Sequence, residues 1–178
     1  MSPKEAPRAE EKRAKIVTAA TTLFSRYGFK RTSIDQLAAE AGVAKPTVYA
    51  YFKDKDAVFE AVVVAVCEDL IARAEAASRG RGSIEERLSA MLAAKFTRYW
   101  ELVQRSPHAQ ELLDSQNRLG TETIARADKA FVRLLATTIE ESSEVDPARA
   151  GLTAMGLAQL LIRAASGAAY DATTVAAH

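Results

Sequence analysis

Apolar side chains recur along this chain at intervals of three and four and almost nowhere alternate, so the pattern predicts helices and no sheet. Ile16, Ala20, Leu23, Phe24 and Tyr27 form one stripe, predicting a helix from about Glu10 to Tyr27 that Gly28 closes. Ile34, Leu37, Ala38 and Ala41 mark a second, short helix. Ser33 with Gln36 opens it as a capping box, in which each side chain bonds the other's free backbone N–H. Gly42 ends it, because glycine takes a left-handed helix exit at little steric cost. A third helix restarts near Ala44, with Pro46 in its first turn, where a missing N–H does no harm. It buries Val48 and turns Lys45, Thr47, Tyr49 and Ala50 outward, and Phe52 joins the core. A unit of about 45 residues buries little surface, so this head is expected to lean on the next helix.

That next helix is predicted from Asp54, a plausible N-cap, to about Ser78, with Phe59, Val62, Val63, Val66, Leu70 and Ala74 inward. Arg79-Gly80-Arg81-Gly82 breaks it. Ser83 with Glu86 is a second capping box, opening a helix from about Ile84 to Arg105 that faces Ile84, Leu88, Met91, Leu92, Phe96 and Tyr99 inward. Ser106-Pro107 starts a short helix to about Gln116, and another spans about Gly120 to Glu141 with Ile124, Ala127, Phe131, Leu134, Leu135 and Thr138 inward. Asp146-Pro147 starts the last, to about Ala169, and Tyr170 to His178 reads as a loop and one turn. This last helix is apolar nearly all round, with Leu152, Met155, Leu157, Leu160, Leu161 and Ile162 beside small Ala154, Gly156, Ala158, Ala164 and Ala165. Such a helix is buried on both sides. Either a partner subunit covers one side, making a homodimer through Leu152–Ala169, or the helix is the centre of a monomeric bundle. The expected fold is all-α, an N-terminal three-helix helix-turn-helix head on a larger helical bundle.

Composition narrows this. The 178 residues, 48% apolar, suffice for one large or two small domains. The net charge of +1 is unevenly spread: residues 1–55 hold 11 Lys and Arg against 6 Asp and Glu, the remainder 13 against 17. A basic head on an acidic body suits a head that meets phosphates. Residues 1–9, with Pro3 and Pro7, read as a disordered arm, a solvated tail or one whose Lys4 and Arg8 brush a minor groove. They show no secretory signal, and the most apolar run, Ala61 to Cys67, is far short of the ~20 residues of a membrane span. The expected location is the cytoplasm. Cys67 is a lone cysteine, a small buried apolar residue or a redox sensor. Enzyme chemistry finds no footing: His108 and His178 are far apart, and no metal cluster, nucleophile constellation or glycine-rich phosphate loop is visible, so no cofactor is expected.

Two short helices around Gly42 make a helix-turn-helix whose second helix enters a major groove. Phe24, Gly28-Phe29, Thr32-Ser33-Ile34, Leu37-Ala38, Ala41-Gly42-Val43, Thr47-Val48-Tyr49, Tyr51-Phe52 and Lys55-Asp56 closely resemble the DNA-binding head of the TetR family of transcriptional regulators, over about residues 12–60. Pro46 stands where glycine is common and Ala50 where a polar side chain is frequent. Arg31, Thr32, Ser33, Tyr51, Lys53 and Lys55 are placed to hold phosphates, which position the protein but read no sequence; Tyr51 is alternatively core. Lys45, next to Pro46, can donate to guanine, and Thr47 can bond a base edge or touch a thymine methyl. The resemblance implies that Tyr49 meets the DNA backbone or a base.

It also implies a body holding a small-molecule effector whose binding lowers DNA affinity. Candidate lining residues are Phe96, Tyr99, Trp100, Gln116, Phe131, Met155 and Arg163, with Met91, Lys95, His108 and Leu112 behind them. Trp100 is a large ring with a polar handle. Arg163, a charge inside the most apolar helix, needs a partner, a ligand carboxylate or an acid across an interface. The expected organisation is an arm over 1–9, a DNA-binding domain over 10–53 and an effector-binding and dimerisation domain over 54–178, with the last helix of the resembled family short or missing. The expected function is a dimeric repressor that binds a pseudo-palindromic operator and is released by an effector. Alternatives are a ligand-independent DNA-binding regulator and a helical small-molecule-binding protein without DNA function.

Overall fold

The computed structural model describes residues 5–105 and 120–175, with side-chain surroundings for 8–97 and 120–167. Every regular element among them is helical. The chain forms two compact units, one of Met1–Cys67 with Glu101–Ile124, the other of Glu68–Trp100 with Ala125–His178.

The first unit opens with α1 (Glu5–Tyr27), which starts five residues before the expected Glu10. Pro7 lies in its first turn, where a helix tolerates proline, so the proline does not signal disorder there. Ile16, Ala20, Leu23 and Phe24 are buried as expected. Tyr27 is not: it is exposed at the helix end, with the Arg26 guanidinium over its ring. After Gly28, at positive φ, come α2 (Ile34–Glu40) and α3 (Lys45–Tyr51). Leu37, Ala38, Val48 and Phe52 close on the α1 stripe. α4 (Lys55–Ser78) begins with Asp54 accepting from the Ala57 N–H at 2.7 Å, which satisfies one of the helix's orphan donors. Its Val58, Phe59, Val62, Val63 and Val66 complete the head's core, the support that so small a three-helix unit requires. Phe24, Phe29 and Phe59 meet edge-on or tilted, with centroids 4.8–6.0 Å apart, and fix the loop after α1 against α4.

The second unit gathers the end of α4, α5 (Ile84–Arg105), α6 (Thr121–Glu140) and α7 (Ala154–Val175). Its core is Ala74, Ile84, Leu88, Met91, Phe131, Leu135, Ala136, Ile139 and Ala158. The capping box at the start of α5 forms: the Ser83 N–H donates to Glu86 at 2.9 Å and the Glu86 N–H to the Ser83 hydroxyl at 3.2 Å. Glu144 adds a second cap, its carboxylate 3.2 Å from the Ile84 nitrogen. The last helix departs from expectation at both ends. Asp146 does cap a helical turn, but it is 3₁₀, Pro147–Ala150, and Gly151 at φ 69° ends it. Thr153 then accepts from the Gly156 N–H at 3.0 Å and starts α7 afresh. α7 runs on to Val175, where a loop was expected. The helix expected over 107–116, with His108, Leu112 and Gln116, lies outside the described residues.

Candidate nucleic-acid interface

The turn between α2 and α3 is built from backbone bonds. Ser33 accepts from the Gln36 N–H at 3.2 Å, and Gln36 accepts from the Ser33 N–H at 2.8 Å, so α2 has its capping box. At its other end Gly42 sits at φ 66°, and the Gly42 and Val43 N–H groups donate to the Ala39 and Ala38 carbonyls at 3.2 and 2.9 Å. That pair of bonds turns the chain so that α3 leaves at once, with Val48 on the core and its other face outside. Lys45, Pro46, Tyr49 and Ala50 are exposed, and Thr47 is half-exposed. Tyr49, at 49% exposure, is one of the few large rings of the first unit left to solvent. An exposed ring with a hydroxyl, a hydroxyl at Thr47 and an ammonium at Lys45 on one short helix can contact base edges and phosphates.

Around this helix the expected phosphate ligands divide. Arg31, Ser33 and Lys53 are exposed, whereas Tyr51 is half-buried and packs on the core. Two turn inward. Thr32 is 2% exposed, and its hydroxyl donates to the Gly28 carbonyl at 2.9 Å, which seals the end of α1. Lys55 donates to the carbonyls of Phe29 and Thr32 at 2.9 and 3.0 Å and to that of Lys30 at 3.4 Å. Its ammonium also lies 4.5 Å from the centroid of the Phe29 ring. Both side chains hold the loop before α2 rather than offering themselves to a duplex. Lys45 carries a feature that sequence reasoning missed: its ammonium is 3.0 Å from the Asp35 carboxylate. That hydrogen bond, and next the carboxylate's charge, hold Lys45 above the ordinary lysine range. The two residues are ten apart on different helices, so only the Gly42 turn brings them together.

In the second unit, Phe131 is fully buried, with the Lys95 ammonium 5.2 Å from its ring centroid and 2.6 Å from Asp128. Phe131 is thus a core residue. Phe96 is half-buried. Tyr99 and Trp100 lie on α5, but their side chains are outside the described residues. Met155 and Arg163 are exposed on α7, so the partner that Arg163 was expected to need is not required by burial within this chain. Among the described residues no group of His, Cys, Asp and Glu side chains can hold a metal ion, and no helix is long and apolar enough to cross a membrane.

A short helix pair around a left-handed glycine, with polar side chains outward on the second helix, defines a helix-turn-helix DNA-binding protein. Residues 16–62 match the family model described as bacterial regulatory proteins, tetR family. The chain is 25% identical over 156 residues to an uncharacterised HTH-type transcriptional regulator of Bacillus subtilis, YhgD, covering 83% of this chain and 78% of that one. It is 23% identical over 160 residues to the HTH-type transcriptional activator FasR of Mycolicibacterium smegmatis, covering 88% and 71%. Its fold is similar to the crystal structure of the transcriptional regulator FadR from Bacillus subtilis in complex with stearoyl-CoA, with TM-score 0.64, 19% identity and coverage of 88% and 84%. The head thus matches that of the TetR family of transcriptional regulators. It is a DNA-binding transcriptional regulator.

Proposed function

We propose that this regulator binds a pseudo-palindromic operator as a homodimer, with α3 of each subunit in the major groove, and that a small molecule bound in the helical body lowers its affinity for DNA. The observation that carries the DNA reading is the outward face of α3, where Lys45, Thr47, Tyr49 and Ala50 stand clear of a fully packed head. Lys45 and Thr47 read bases, while Tyr49, Arg31, Ser33 and the exposed Lys53 hold the backbone. With Ala50 and Pro46 offering little to a base, phosphates and dimer spacing supply much of the affinity. The dimer forms through the outer face of α7, and the protein acts in the cytoplasm.

The direct test is binding of a duplex enriched from a random pool, followed by fluorescence anisotropy. Lys45→Ala with Tyr49→Ala abolishes binding and leaves the oligomeric state unchanged. Normal binding by that double variant places the reading surface elsewhere. For the body, the effector lodges among α5, α6 and α7, near Phe96, Trp100 and Met155, and repression is relieved by it. The FadR structure contains stearoyl-CoA, which makes a long-chain acyl-CoA the first effector to try. Effector-dependent release that persists after Trp100→Ala and Phe96→Ala moves the pocket elsewhere. A relative that carries the word activator supports the second reading, in which the same DNA contacts recruit transcription. A reporter that rises on deletion of the gene favours repression; one that falls favours activation.

A further inference from the structure

α3 has no basic residue in its last turn, yet a cation from another helix stands at that end. Lys45, Tyr49 and Phe52, spaced four and three residues apart, follow one edge of the helix. Phe52, at the C-cap, is 5% exposed, and its ring is covered from α1 by Arg13, whose guanidinium carbon lies 5.4 Å from the ring centroid. Arg13 is itself open to solvent, with 44% of its side chain exposed. Lys53, the next residue after Phe52, is exposed as well. We propose that Arg13 is a DNA-binding residue, which takes a phosphate of the backbone bordering the C-terminal end of α3. The proposal rests on the assignment of α3 to the major groove.

A helix about 10–12 Å across fills a major groove about 12 Å wide, so the phosphates of the groove lie along the edges of the helix. Arg13 extends the edge that Lys45 and Tyr49 begin. A guanidinium over a ring uses its face there and keeps the N–H donors of its own plane for an anion. The ring also holds the side chain in place, so less freedom is lost when a phosphate binds. Its carboxylate neighbour, Glu10, is 3.9 Å away on an exposed turn of α1. Such a pair is worth little, so a phosphate displaces no strong partner. The gain is the same on every sequence: Arg13 sets affinity and the placement of the head, while α3 reads bases. Periodicity gives Arg13 only a place on the solvent side of α1, and the contact with Phe52 is what brings it to α3.

Four proteins test this: the unaltered chain, Arg13→Met, Arg13→Lys and Lys12→Met. The probe is a duplex enriched from a random pool by the unaltered protein, and affinity is followed by fluorescence anisotropy over a range of salt concentrations. Arg13→Met is expected to bind at least about ten-fold more weakly at low salt, the worth of a hydrogen bond to a charged group. Its slope of log affinity against log salt is shallower by about 0.9 for each bound head, one phosphate fewer. Arg13→Lys keeps the charge and restores the slope, with part of the affinity. Lys12→Met removes an exposed cation from the neighbouring position of α1 and changes the slope much less. The urea midpoint of DNA-free Arg13→Met stays close to that of the unaltered protein, because the methionine still covers Phe52. The proposal is overturned if Arg13→Met and Arg13→Lys lose affinity alike at an unchanged slope, which makes Arg13 only a cover for Phe52. It is equally overturned if Arg13→Met binds as the unaltered protein does, or if Lys12→Met flattens the slope as much, which makes the effect one of net charge. The assignment of α3 is judged separately by Lys45→Ala with Tyr49→Ala. If that variant binds normally while Arg13→Met does not, α3 is not the reading helix, and the proposal falls with it.

Discussion

A lysine at the start of a helix, next to a DNA-reading element, looks like a phosphate ligand, yet the Lys55 ammonium rests on carbonyls of Phe29, Lys30 and Thr32. Removing it leaves partly buried acceptors without a donor. Lys55→Met is therefore expected to lower the free energy of unfolding by about 1–3 kcal/mol, read as a lower urea midpoint of the DNA-free protein. Lys55→Arg loses less, because a guanidinium still donates but does not fit the same three oxygens. An unchanged midpoint for Lys55→Met would mean the ammonium contributes nothing to the loop. Thr32→Val tests the neighbouring bond to the Gly28 carbonyl by the same measurement, with about 1 kcal/mol expected. Periodicity marks which Cα positions face the core, and for Ile16, Phe24, Leu37 and Val48 that decides everything. It leaves open the aim of a long, flexible side chain such as Lys55, whose stem reaches inward or outward from the same Cα. It also leaves open pairs set by a turn, such as Lys45 with Asp35.

Helices whose ends carry their own punctuation were legible to the residue. Ser33 with Gln36 and Ser83 with Glu86 form the expected capping boxes, and Gly42 makes the expected exit. A Cβ built at Gly42 meets nothing within 4 Å, so the requirement there is conformational alone. Gly42→Ala is expected to cost about 1–2 kcal/mol, the penalty of a left-handed residue with a side chain. Gly42→Asn loses less, because asparagine tolerates this region. Equal midpoints for glycine and alanine in thermal unfolding would show that the turn relaxes to negative φ. Ends without such a marker were misplaced. α1 reaches back to Glu5, into a charged stretch that its apolar stripe does not mark. The run from Asp146 onward is apolar enough to read as one helix, but Gly151 and the Thr153 cap divide it. A glycine inside an apolar run signals either a tolerated helix position or a stop, and only its φ decides.

At the scale of the whole molecule the open face of α7 matters most. Leu160 and Met155 are 50% and 37% exposed, with Gln159, Arg163, Ala164 and Gly167 beside them on the same side, while Ala158 is buried on the other. Large apolar side chains grouped on one helix face mark an interaction surface, and small residues such as Ala164 and Gly167 let a second helix approach closely. The sequence makes this helix apolar all round and points to a partner subunit, with the centre of a monomeric bundle as the alternative. The exposures favour the partner, since a central helix would bury both sides. If two copies pack here, Met155→Glu with Leu160→Glu puts four carboxylates into one interface. Neither side chain is part of the core, so helicity and the urea midpoint at low protein concentration should hold, while sedimentation gives a monomer. The DNA consequence follows from counting phosphates. A dimer neutralises two heads' worth and a monomer one, so the slope of log affinity against log salt should fall to about half, together with a large loss of affinity for a palindromic duplex. A variant that sediments and binds as the unaltered protein does removes α7 as the dimer face. One that is monomeric yet keeps the full salt slope means that a single head already supplies every phosphate contact, and the two-headed arrangement is wrong.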